Sequence, residues 1–368
     1  MAKTIIGAGD AKAVKRYSAF LAVDVAKIGY FSKKFMGYGD MSSTPIQMLS
    51  SLESDAGDSI TYDLSIQLKM QGIEGDSVLE GQEEDLRFLT DSLLIDQMRC
   101  GVNTGGRMTR KRTIHDLRNV ARRRQSEWWS RVFDELFFCY LSGSTGTAVG
   151  WTFPAGYAGF AGNALTAPDT QHLMYGNNAT SKADLDSADK MSVNLIERAV
   201  ARAEVMGGGT QEVPQIQPVM IDGEEHYCIV MHPFQAYDLR SSTGTSDWLE
   251  IQKAAAGAEG RNNPIFKGSL GMHNNVVLHK HKNVVRFSDY GAGANVAAAR
   301  ALFLGEQAAV CAFGSPGNNL RFDWNEETRD NGNQLVISTS SIFGVKKTTY
   351  NGKDYGVIAL DTAAADPN

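Results

Sequence analysis

Two blocks of opposite charge are the groups in this sequence best placed to do chemistry. Between Arg107 and Arg124 stand eight bases (Arg107, Arg110, Lys111, Arg112, Arg118, Arg122, Arg123, Arg124) and one acid, Asp116. Between Gly72 and Asp96 stand eight acids (Glu74, Asp76, Glu80, Glu83, Glu84, Asp85, Asp91, Asp96) and one base, Arg87. A cationic run can be a solvated helix face. It can neutralise nucleic-acid phosphates without reading sequence. It can also pair with the acidic block, in the same subunit or a neighbour, where such pairs set register more than affinity. Composition leaves all three open.

Catalytic chemistry finds less support. His279 and His281 in "LHKHK" share one strand face, with His273 nearby, and two imidazoles can hold a metal. No Asp, Glu or Cys at diagnostic spacing completes the set, so ordinary histidines on a surface strand are expected. His232 precedes Pro233 and is expected to shape a turn or helix start. "TIIGAGDAK" puts Gly7 and Gly9 after a short apolar run, but Lys12 stands where a dinucleotide-binding turn needs its third glycine. There is no GxSxG, P-loop or HExxH pattern. The four cysteines form no CxxC pair, and reduced thiols are the simple reading. No enzyme, cofactor or metal site is expected.

The 368 residues carry a net charge of −6, which argues against a dedicated nucleic-acid binder but not against a local basic face. No apolar run approaches the length of a membrane span, and the first residues lack a signal-peptide core.

The acidic block sits on a hairpin. In "SITYDLSIQLKM", Ile60, Tyr62, Leu64, Ile66, Leu68 and Met70 share one parity, and polar residues the other, which predicts a strand with one apolar face. Gly72, Gly75 and Gly81 break the tip. The first strand and its approach run roughly 40 Å. An isolated hairpin is marginal in water, so this one needs a surface to lie on.

The basic block opens a long helix, "TRKRTIHDLRNVARRRQSEWWSRVFDELFFCYLSG". Thr113 with Asp116 resembles a capping box, Thr109 offers an earlier start, and Gly143 ends it. About thirty residues make a spine on the order of 45 Å, amphipathic first and apolar nearly all round later. Before the hairpin, residues 1 to about 55 read as an arm ordered by its neighbours, with a short helix in "AVKRYSAFLAVDVAKIGYFSKKF". Residues 143–190 read as loop. A helix in "SVNLIERAVARAEVM", strands in "HYCIVM", "NVVLHKHKNVVRF" and "ALFLGEQAAVCAF", and helical "DWLEIQKAAAGA" make a mixed α+β unit. Further β structure with an Asn351-Gly352 turn closes the chain.

Arm, long hairpin, spine helix, α+β unit and return to β resemble the major capsid proteins of tailed bacteriophages with the Hong Kong 97-type fold, and more narrowly the capsid family of N4-like phages. The residues that carry the resemblance are "GDSITYDLSIQLKMQGIEGDSVLEGQEEDLRF", "DSLLIDQMR", "TIHDLRNVAR", "MHPFQAYDLR", "NPIFKGSLGMHNNVVLHKHKNV" and "RALFLGEQAAVCAFG". The resemblance implies an N-terminal arm over 1–56, an E-loop hairpin over 57–104, a peripheral domain with the spine helix over 105–190, an axial domain over 191–325, and a β return to the peripheral domain over 326–368.

It also implies hexamers and pentamers tiling an icosahedral shell around double-stranded DNA in a virion, assembled in the host cytoplasm, with a portal, a separate scaffolding protein and no membrane. The hairpin (Tyr62, Leu64, Ile66, Leu68, Glu83, Glu84) would cross a neighbouring subunit. The basic spine face (Arg112, Arg118, Arg122, Arg123, Arg124) would meet DNA or an acidic hairpin. An encapsulin-like compartment shell shares the same fold and is the alternative.

Overall fold

The computed structural model describes residues 11–39, 42–50, 57–65, 68, 71–75, 78–147, 149–206, 216–221, 223–242, 251, 265–315 and 321–367. Two sheets share one spine helix. The first has six strands: β1 (Met36–Tyr38), β2 (Ile46–Leu49), β5 (Asp96–Asn103), β13 (Ala309–Gly314), β14 (Asp323–Arg329) and β15 (Gln334–Lys347). The second has eight: β6 (Leu173–Tyr175), β7 (Val219–Ile221), β8 (Glu224–Met231), β9 (Gly271–His273), β10 (Val276–Lys280), β11 (Arg286–Tyr290), β12 (Val296–Leu304) and β18 (Val357–Ala363). The hairpin ladder β3 (Ser59–Ser65) with β4 (Phe88–Leu94) and the short ladder β16 (Thr349–Tyr350) with β17 (Lys353–Asp354) stand apart. The helices are α1 (Ala11–Ile28), α2 (Tyr30–Lys34), α3 (Arg107–Arg112), α4 (Leu117–Ser142), α5 (Val193–Val205) and α6 (Pro233–Ser242). This is the expected α+β class.

Period-two alternation assigns each sheet its two faces. In β13, Ala309, Cys311 and Phe313 join the core under the spine, whereas Val310 and Ala312 join a smaller cluster with Leu49, Ile60 and Leu93. In β8, Cys228 and Val230 face the spine core, whereas Tyr227, Ile229 and Met231 pack with Leu195, Ile196 and Ala199 of α5. The spine thus runs along one face of both sheets. The hairpin base lies on the opposite face of the six-stranded one.

The spine is shorter than the sequence suggests. Thr113 is extended (φ −96°, ψ 143°) and separates α3 from the 26-residue α4. Asp116, not Thr113, is the N-cap, and its carboxylate accepts from the N–H groups of Arg118 and Asn119. Two caps competed within four residues, and the one next to the uninterrupted helical run won. Gly143 ends α4 as expected, at φ 65°, where only glycine is unstrained. From Val132 to Ser142 every residue of the helix is buried, and Trp129 and Phe133 are set against Phe322 and Phe343.

Four expected boundaries shift. The return strand of the hairpin ends at Leu94, because Asn163 closes off that backbone: Leu94 N–H donates to Asn163 Oδ1 (3.0 Å) and Leu94 C=O accepts from Asn163 Nδ2 (2.8 Å). The chain then joins the six-stranded sheet as β5, paired with β15. The expected arm supplies β1 and β2 to that same sheet. "ALFLGEQAAVCAF", read as part of one α+β unit, divides into β12 and β13, which belong to different sheets. The C-terminal β18 enters the eight-stranded sheet beside β12 instead of returning to the other. The helix expected in "DWLEIQKAAAGA" lies outside the described residues, Ile251 apart. His232 starts α6 as expected, its Nδ1 accepting from Phe234 N–H at 3.2 Å.

One buried arginine ties the spine to the second sheet. Arg300 on β12 grips Asp361 on β18 with Nε–Oδ1 and Nη2–Oδ2 distances of 2.7 Å, and its Nη1 donates to Ser142 C=O (2.8 Å), in the last turn of α4. The Tyr290 hydroxyl donates to Asp361 at 2.6 Å.

Candidate assembly surfaces

The base of the hairpin is seated on its own chain. Ile60 and Leu93 are buried with Leu49, Val310 and Ala312. Tyr62 donates to Asp91 Oδ2 at 2.8 Å, and its ring meets that of Tyr350 edge-on at 6.1 Å. Lys346 of β15 pairs with Asp91, and Thr349 Oγ1 donates to it at 3.3 Å. Burial and the Asp91 charge push the Tyr62 hydroxyl far above its usual range, so it stays a donor.

Past Leu64 that seat ends. Leu64 is half-buried, and Leu68 on the same parity is 62% exposed. Ile66 lies outside the described residues. On the rest of the loop Val78 is 72% exposed, Leu86 66% and Phe88 59%. These are large apolar side chains on a single projecting segment, where exposed patches mark interaction sites. Glu83 accepts from Gly81 N–H at 2.6 Å and so shapes the tip; Glu83 is exposed and Glu84 half-buried.

Spine residues of the basic block have partners outside this acidic segment. Arg118 pairs with Glu326 of β14 (2.6 Å) and Arg122 with Asp24 of α1 (3.2 Å). Arg124 pairs along its own helix with Glu127 (2.7 Å). Arg112 and Arg123 are exposed. Two of the five residues of the predicted face, Arg118 and Arg122, therefore fasten the six-stranded sheet and the arm to the spine, and the other three are exposed.

His279 corrects the expected surface strand. It is buried, with its ring against Phe35 (5.3 Å), while His281 packs on Tyr30 (4.5 Å) and Phe138 (5.0 Å). Desolvation and the Lys34 charge lower His279 to about 3, and burial lowers His281 to about 4. Both are neutral packing groups beneath α2.

The arm is docked by residues that are not among the predicted site residues. Leu21 and Val25 enter the main core. Ser130 Oγ donates to Val25 C=O at 3.1 Å. Gly29 caps α2 with no side chain, and Asp134 of the spine takes over: its carboxylate accepts from Tyr30 N–H (3.0 Å) and Phe31 N–H (3.1 Å). An acid inside an apolar helical stretch was the available signal. Asp134→Ala is expected to cost about 1–2 kcal/mol, the scale of a lost N-cap, and to speed hydrogen exchange in 11–34 ahead of the core. Asp134→Asn, which keeps an acceptor, should cost less. Burial raises the Asp134 carboxyl to about 6. A folded value above the unfolded one gives a contribution that is full at low pH and lost as pH rises through about 6. Arm protection is thus expected to tighten between pH 7 and pH 5; loosening in that window would contradict it.

Known proteins match this arrangement throughout its length. The family model described as phage capsid protein matches residues 5–366. The capsid of Ralstonia phage GP4 is 50% identical, with all of both chains covered and a TM-score of 0.87. The major capsid protein of Pseudomonas phage KPP25 is 27% identical over 359 residues, 89% of this chain and 90% of that one. The cyanophage Pam1 capsid shares the fold at 21% identity, covering 89% and 91%, with a TM-score of 0.67. With its hairpin, spine and paired sheets, the chain belongs to the phage capsid protein family and is a major capsid subunit of the Hong Kong 97-type fold.

Proposed function

We propose that this subunit closes its shell by laying the outer half of the hairpin on a neighbouring copy. The observation that carries this is the change after Leu64: on one parity Ile60 is buried, Tyr62 and Leu64 are half-buried, and Leu68 is 62% exposed. Repeated around hexamers and pentamers, the contact gives many weak interfaces whose sum is a stable icosahedral head. The shell encloses the double-stranded DNA of a tailed phage, and assembly takes place in the host cytoplasm on a separate scaffolding protein and a portal. Arg112 and Arg123, exposed at the start of the spine, are the groups available for sequence-blind phosphate contact. Double-stranded DNA in purified particles distinguishes this from an encapsulin-like compartment holding a cargo enzyme.

Charge reversal at the tip tests the neighbour contact. Glu83→Lys with Glu84→Lys is expected to impair shell formation more at low salt than at physiological salt. Repulsion reaches about 30 Å at 0.01 M salt and only about 8 Å at 0.15 M. Light scattering of purified subunits across that range reads the difference. Equal assembly of wild type and variant at low salt would remove the tip from the interface.

A further inference from the structure

At the root of the β16–β17 ladder lies an ion pair without access to water. Lys347 ends β15 and Asp354 ends β17, and both side chains are almost wholly buried. Lys347 Nζ stands 2.7 Å from Asp354 Oδ1 and also donates to Thr166 C=O at 2.9 Å. The other carboxylate oxygen, Oδ2, is buried with no hydrogen-bond partner. Thr349 and Asp354 are paired across the ladder, so Lys347, two residues earlier, is the diagonal neighbour on the same face. The main chain of Asp354 is held in place: its N–H donates to Asp169 Oδ2 at 2.9 Å, and that carboxylate also takes His172 Nδ1 at 2.8 Å.

Desolvation works on both partners in the same sense. It lowers the lysine pKa and raises that of the aspartate, which favours free amine and neutral acid over two buried charges. Those neutral forms are the reactants for amide formation.

We propose that Lys347 and Asp354 condense into an intramolecular isopeptide bond. A proton passes from the ammonium to the carboxylate. The amine lone pair attacks Cγ, the Nζ–Cγ bond forms and one Cγ–O bond breaks. The departing oxygen leaves as one water with the two protons that the ammonium sheds, so no oxidant, cofactor or activating group enters. Oδ2 is the oxygen with no hydrogen bond to lose. The product keeps one N–H for the Thr166 carbonyl, and the unpartnered oxygen is gone. The bond also fixes the seat of the projecting hairpin, since Lys346, Thr349 and Tyr350 beside it contact Asp91 and Tyr62.

Peptide mass spectrometry of the full-length chain, denatured from assembled particles and cut with trypsin, decides the matter. The expected species is Lys347–Lys353 joined through its first lysine to Asp354–Asn368, lighter by one water than the two peptides together. Lys347→Arg should abolish that species and restore the lost water to the intact chain. Wild-type peptides recovered unlinked overturn the proposal, as does a water loss that persists in Lys347→Arg. The wild-type digest decides even where the variant fails to fold.

Discussion

Arg300→Ala is expected to cost the unassembled subunit about 3–5 kcal/mol, the range for removing one partner of a buried ion pair. Three groups lose by it. Asp361 is buried and keeps only the Tyr290 hydroxyl. Tyr290 loses the guanidinium donor, and the Ser142 carbonyl at the end of the spine is left without its side-chain partner. The last is a helix C-terminal group, for which burial without a partner costs about 1–3 kcal/mol. Replacing the pair together, Arg300→Met with Asp361→Leu, should recover much of the loss, because an apolar pair of similar size carries no desolvation cost. Urea unfolding of unassembled subunits gives both numbers. If the single substitution cost under about 1 kcal/mol, at the level of an exposed pair, the arginine would not be the clasp between spine and second sheet.

Periodicity in the sequence told which side of an element is apolar, and it did so well. The strand of Ile60, Tyr62 and Leu64, the all-round burial of the spine from Val132 to Ser142, its end at Gly143 and the Asn351-Gly352 turn follow from local rules. Periodicity does not say which surface covers an apolar face. For β3 the face is divided between two surfaces: the subunit's own Leu49, Val310 and Ala312 at the base, and none of its own at Leu68. The arm was read as ordered by other subunits, yet Leu21 and Val25 lie in its own core. Arg122 and Arg118 of the basic run find partners 98 and 208 residues away, at Asp24 and Glu326, which no local charge pattern announces. β12 and β13 look like a hairpin because each is apolar and four residues separate them. Only the two-sheet architecture shows that Gly305–Ala308 is a crossing between layers.

Leu68→Asp combined with Leu86→Asp is expected to give a soluble, folded subunit that forms no shells. The two leucines are 62% and 66% exposed in the single subunit, so the fold loses little by their change. The hairpin base is held by Ile60, Leu93, Tyr62 and the Asp91–Lys346 pair, none of which is touched. In the assembled state each leucine, if covered by a neighbour, contributes about 1.5–3 kcal/mol of burial. The replacing carboxylate adds desolvation on top of that loss. In the arrangement we propose, every subunit both gives and receives a hairpin, so the deficit recurs at each contact around the shell. Circular dichroism and hydrogen exchange on unassembled subunits should match wild type, with β3–β4 protected as before. Electron microscopy and sedimentation under assembly conditions should show subunits or capsomers in place of closed heads. Closed heads at wild-type yield would mean that the outer hairpin is not the inter-subunit contact, and the partner of its exposed face would have to be sought off the shell.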